Sequence, residues 1–164
     1  MTLIRQTLRD ATQHNHSLVD DAFAHYDLGQ KDSYRLFLAA HARVLPAVEG
    51  AIFAGSPWPA WKPRTSVLFE DLAVLGAVPP PSPVVFTAPR DAESLWGLLY
   101  VLEGSKLGGA MLARRVGEGL PKTYLAARDT RWADFLSALE LGFAADEGAG
   151  VARAVEAAET TQVS

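Results

Sequence analysis

Between residues 5 and 20 the chain sets Arg5, Arg9, Thr12, His16 and Asp20 three or four positions apart. On a helix advancing ~100° per residue, with His16 at zero, Arg9 falls near ~20°, Thr12 near ~-40°, Asp20 near ~40° and Arg5 near ~-20°. Ile4, Leu8, Ala11, Leu18, Ala22 and Tyr26 centre near ~-110°, so His16 stands at the border of an apolar face. A neutral imidazole there could ligate a transition metal. A carboxylate at i+4 could accept a hydrogen bond from the other ring nitrogen and raise the ligand's basicity. Arginines on the same stripe could clamp carboxylates of a ligand. The spacing equally describes a plain His–Asp pair at the edge of a surface helix. His14 points ~160° away and is expected in solvent.

A second group lies in LWGLLYVLEGSKLGGAMLARRVGEG, where glycines interrupt good helix formers at ~1 kcal/mol each relative to alanine. Gly97, Gly104 and Gly108 share one face with Val101, Met111 and Arg115. A strip of bare backbone lets a flat or bulky group approach the helix closely. Close packing of another helix would use the same strip. Gly109 lies ~140° away and is expected to serve packing or flexibility elsewhere.

The elements that position these residues are helical. The spacing predicts a first helix over residues 3–26, then a second from a cap at Asp32 or Ser33 to about Phe53, bent at Pro46. A short helix TSVLFEDLAVLG is expected to end with Gly76 at C′. Residues 78–90, VPPPSPVVFTAPR, read as a semi-rigid connector in which VVF (84–86) is an isolated strand-like signal. A long helix is expected from Asp91 to about Gly117, with further helices around 131–143 and 146–158. The tail, about 159–164, is expected to be disordered. The fold class is all-α, a multi-helix bundle in a single domain over residues 1–164.

Composition narrows the function. The chain has 164 residues, 49% hydrophobic and 21% charged, with a formal net charge of -4. Such a balance gives no basic footprint, so no nucleic-acid partner is expected. There is no cysteine, which excludes disulfides, thiolate nucleophiles and thiolate metal sites. Arg5 and Arg9 interrupt any secretory apolar run, and no stretch of ~18 uninterrupted apolar residues occurs. No membrane partner is expected, and a cytoplasmic location fits.

Together, LRDATQHNHSLVD (8–20) and LYVLEGSKLGG (99–109) resemble the haem oxygenases, above all the bacterial, phytochrome-associated ones that produce biliverdin. Leu8, Arg9, Ala11, Thr12 and His16 follow that family's first-helix pattern. Residues 100–109 follow its distal helix. HARVLPAVE (41–49), Trp61 with Arg64, and EDLAVLG (70–76) extend the resemblance over roughly residues 3–143. It implies a haem-oxygenase-like fold and haem b as both cofactor and substrate. His16 would be the proximal ligand of the haem iron, with Arg9 on a propionate and Asp20 as the acidic neighbour. Thr12 and Met111 would contact the cofactor. Gly104 and Gly108, with Ser105 between them, would form the catalytic oxygen side. Dioxygen would be the co-substrate, and the products biliverdin, carbon monoxide and ferrous iron. Electrons would come from a ferredoxin or an NAD(P)H-dependent reductase, and a bacterial phytochrome could receive the product.

Two departures matter. Ser105 stands where mammalian members carry an aspartate, and the C-terminal segment ends AAETTQVS instead of continuing with aromatic residues. Arg128 and Arg131 are candidates for the second propionate. A non-catalytic haem carrier or sensor on the same fold is the alternative. A carboxylate–histidine di-iron enzyme would need Glu-x-x-His pairs, and Glu49, Glu70, Glu103, Glu140 and His41 form none. Against that reading, Glu103 lies about -100° from the glycine strip and is expected at the surface or in helix pairing.

Overall fold

The computed structural model describes residues 2–53, 55–79, 81, 91–143 and 149–163. For His16, Val19, Ala22, Ala149 and residues 161–163 it describes the backbone alone. Among the described residues the chain is all-α, with no strand. The helices are α1 (Leu3–Phe23), α2 (Lys31–Ala42), α3 (Leu45–Phe53), α4 (Thr65–Val74), α5 (Ala92–Ala113), α6 (Thr123–Ala126), α7 (Trp132–Gly142) and α8 (Ala149–Val163). The VVF triplet lies outside the described residues.

α5 is the central element, flanked by α3, α6, α7 and α8. Its start is fixed by Asp91, whose side chain accepts Ser94 N–H at 2.9 Å as an N-cap. It ends at Ala113, short of the predicted Gly117. Gly117 is drawn into the α1–α2 connection instead, where its N–H donates to Leu28 O at 3.0 Å.

The predicted second helix is two helices. Pro46 has no N–H to give to Ala42 O, and its ring crowds that carbonyl. The helix therefore breaks at Arg43–Val44, ahead of the proline, and restarts as α3. Neither Asp32 nor Ser33 caps α2, because the helix starts at Lys31 behind Gln30 and both lie in its first turn, where Ser33 Oγ accepts the N–H of Asp27 at 2.8 Å. By length and composition Lys31–Phe53 is apolar enough to cross a membrane. Its apolar residues Tyr34, Phe37, Leu38, Leu45, Val48 and Ile52 are buried in the core.

α4 ends as its sequence predicts. Gly76 adopts φ +75° at C′, Ala77 N–H reaches Leu72 O at 2.9 Å, and Gly76 N–H reaches Ala73 O at 3.0 Å. These are the two bonds of a Schellman motif.

α8 packs on both α5 and α1, with Val151, Ala154 and Ala158 buried. Small side chains allow a close approach, and this docking carries the helix on to Val163, through the segment expected to be disordered.

Candidate functional site

The glycine face of α5 divides into two parts. A Cβ on Gly97 would lie 2.1 Å from Ala154 O, so this glycine is where α8 presses on α5. Two turns later α8 no longer covers the helix. A Cβ on Gly104 would meet only the edge of the Trp132 ring, at 3.9 Å, and one on Gly108 would meet nothing within 4 Å. Met111 continues this face at 73% exposure, and Leu107 beside it is also exposed. The strip read from the sequence is thus packing at one end and open at the other. Gly109 faces away from it, with Leu125 O 3.0 Å from its would-be Cβ, as its angle predicted.

α1 runs in the same direction as α5. Arg5 Nη1 pairs with Glu140 Oε1 at 3.0 Å near the end of α7, and Trp96 abuts Gly142 there. At the other end of α7, Trp132 meets Gly104. Between these levels the Tyr100 hydroxyl approaches Thr12, which draws its pKa down while burial, the larger effect, pushes it up. His16 is one turn beyond Thr12 on α1, and Gly104 is one turn beyond Tyr100 on α5. The two positions therefore lie toward the same end of the helix pair. The side chain of His16 is outside the described residues, so its direction is not part of this geometry.

Thr12 departs from the expected polar stripe. It is buried, and its hydroxyl donates to Leu8 O at 2.8 Å. Leu18, expected in the core, is 53% exposed. Both follow from how α1 is held. Ile4, Leu8 and Thr12 are covered at one end, and Phe23 packs on Phe37 and His41 at the other. In between, Gln13, His14, Ser17, Leu18, Asp20 and Asp21 are exposed. His14 is in solvent, as predicted. Arg9 is exposed and acts electrostatically on Tyr100. Arg5 is engaged by Glu140.

A cleft of about 410 Å³ opens between α5 and the α6–α7 connection. Glu103, Lys106, Leu107, Thr130 and Trp132 line it, together with Arg128 and Arg131. Both arginines are exposed. The structure thus brings these two arginines to the flank of α5 that carries Glu103, Lys106 and Leu107, beside the glycine face. Glu103 is not at the surface: it is 2% exposed. It faces Lys106 and Thr130, a pairing that i, i+3 charge spacing hints at and that the glycines beside it overshadow.

Ser105 looks the other way. Its hydroxyl accepts Nη2 of buried Arg64 at 2.7 Å and donates to Leu102 O at 2.7 Å. Arg64 lies over the Tyr124 ring, 4.9 Å from its centroid. Glu49 takes the N–H groups of Arg64 and Thr65 at 2.7 and 2.9 Å and so caps α4. His41 completes this layer against Phe37 and Tyr124. Burial lowers its pKa, opposed by a bond to Phe37 O at 2.9 Å, and Arg64 adds to the lowering. The sequence reading missed this buried layer, since contacts as far apart as Arg64–Ser105 have no local signal. Among the described residues no three His, Asp or Glu side chains gather to hold a metal ion.

A heme oxygenase of Xanthomonas campestris pv. campestris (strain 8004) is 37% identical to this chain over 101 residues. That similarity supports the haem oxygenase family. The matched region is 55% of this chain and 56% of the relative, so the chain spans about half the length of the curated protein it matches. No family model and no solved structure matches the chain.

Proposed function

We propose that this protein is a haem oxygenase, with His16 as the proximal ligand and the open part of α5 as the oxygen side. The observation that carries the reading is the uncovered Gly104–Gly108 face, at the same end of the α1–α5 pair as the uncovered middle of α1. The residues present fit a flat amphipathic ring. Bare backbone and the exposed Leu107 and Met111 offer it an apolar wall, and Arg9, Arg128 and Arg131 offer its carboxylates guanidinium partners.

When bound, haem supplies a redox-active iron and is itself the molecule that dioxygen oxidises, to biliverdin, carbon monoxide and ferrous iron. The chain's own part is positioning. His16 would hold the haem iron through a neutral imidazole, and Asp20, one turn on, would fix its tautomer directly or through water. Gly104 and Gly108 leave room on the opposite side for a small molecule that a larger side chain would displace. Thr12 faces Tyr100 where α1 and α5 come level. Ser105 holds the distal turn to Arg64. Electrons come from a ferredoxin or an NAD(P)H-dependent reductase, and a bacterial phytochrome is a recipient of the product.

The commitment of the Ser105 hydroxyl to Leu102 O favours one alternative, a haem carrier or sensor with no turnover. Titration with hemin, then ascorbate or a ferredoxin system in air, separates the two. Conversion of the Soret spectrum to that of biliverdin supports the enzyme, and an unchanged haem spectrum supports the carrier. His16→Ala should remove the histidine-ligated signature. A variant with the parent Soret band and ligand-field spectrum would overturn the ligand assignment.

A further inference from the structure

The turn of α5 that carries Gly104 also carries Glu103 and Lys106, which point away from the glycine face into a buried cluster. Glu103 is 2% and Lys106 is 6% exposed. Thr130 Oγ1 joins them, accepting from Lys106 Nζ at 2.9 Å and donating to Glu103 Oε2 at 2.6 Å. Lys106 Nζ also lies 3.0 Å from Glu103 Oε1 and 3.2 Å from Asp129 Oδ1. Glu103 Oε1 has this charge partner but no hydrogen bond of its own.

The cluster holds a segment with no regular structure. Between the end of α6 and the start of α7 the chain leaves helical geometry at Ala127 (φ -57°, ψ 123°) and is extended at Arg131 (φ -104°, ψ 133°). Arg128 and Arg131 project from this segment into the cleft that Glu103 and Lys106 also line. Burying a lysine and a glutamate is a poor way to gain stability, because apolar residues of the same volume do as well or better. What such a pair does give is a fixed position.

We propose that Glu103, Lys106 and Thr130 are positioning residues. They latch the 127–131 segment to the distal turn of α5 and so aim Arg128 and Arg131 at the carboxylates of the ring substrate. The inference rests on the functional reading above and adds a determinant of carboxylate recognition.

The test compares binding of hemin with that of hemin dimethyl ester, which lacks the charges, by Soret titration. Unaltered protein should prefer hemin by about tenfold or more, the worth of one charge-assisted hydrogen bond. In Lys106→Met and Thr130→Val that preference should fall by about fivefold or more, to the part that Arg9 sustains, with ester affinity unchanged. Thr130→Ser should retain it. Circular dichroism checks the fold, and the near-isosteric Thr130→Val serves if Lys106→Met does not fold. A full preference in both variants, or equal weakening toward both ligands, overturns the latch. Equal affinity of unaltered protein for the two ligands overturns it while leaving haem binding intact. No hemin binding by unaltered protein overturns the functional reading, and the latch with it.

Discussion

Replacing Gly108 by alanine separates a glycine kept for a ligand from one kept for the fold. Its would-be Cβ meets nothing within 4 Å, and the residue lies inside α5, five positions before its end. Alanine there removes the conformational cost of glycine in a helix, worth about 0.5–1 kcal/mol. For a chain of this size the melting temperature should rise by roughly 1–4 °C. Gly97→Ala should have the opposite sign. Its Cβ would sit 2.1 Å from Ala154 O and 2.9 Å from Ala154 C, so backbone of α8 must move, at about 1–3 kcal/mol for overpacking. Scanning calorimetry of the ligand-free proteins reads both signs. A second scan with hemin reads the ligand's contribution, about 2.7 kcal/mol at a hundredfold excess over Kd in the unaltered protein. Gly108→Leu should fold normally and lose most of that increment along with biliverdin formation. The reasoning fails if Gly108→Ala is destabilised by about 1 kcal/mol or more, or if Gly108→Leu keeps the full hemin-induced shift and full turnover.

Two further outcomes rest on the buried layer beneath α5. Glu49→Ala strands the N–H groups of Arg64 and Thr65 at the start of α4 and should cost about 1–3 kcal/mol, read from the urea midpoint at unchanged slope. His41 titrates below its ordinary value of 6.5 in the fold, so as pH falls below about 6.5 the unfolded chain takes up a proton that the folded one does not. Stability should therefore decline from about pH 6.5 down to the folded pKa and then level off as far as this group is concerned. In His41→Phe that part of the pH dependence should vanish. An identical stability–pH curve for the variant would show that another group is responsible.

Periodicity made several of the helices legible, because the apolar spacing of α2 and α7 matches their buried faces, while α5 is buried all round at its start and is read from its length and its run of helix formers. The end of α4 could be read from Gly76 alone, since a left-handed C′ position is a local demand on one residue. α6 has no such signature: four residues are too few to show a period, and burial of Tyr124 and Leu125 holds them in place. The α2–α3 break was visible as Pro46 but misplaced, because the clash falls on the turn before the ring. Of the candidate site, the open glycines and the two cleft arginines could be named from the chain. What failed was the assumption that one face of α5 has one environment. α8 covers Gly97 and leaves Gly108 bare, and no spacing within α5 reports where a distant helix stops. Leu18 misled for the same reason, since an apolar residue at helical spacing marks a core only where another element covers it.

The way α8 sits has a consequence for how such a site can change. α1 and α5 are joined chiefly through this third helix, whose buried face is made of small side chains, Val151, Ala154 and Ala158. The aperture between the two walls is thus gauged by spacers that belong to neither wall. Exchanging one such side chain for a larger one would wedge the walls apart. Selection could in this way retune which flat molecules fit without altering any residue that touches them.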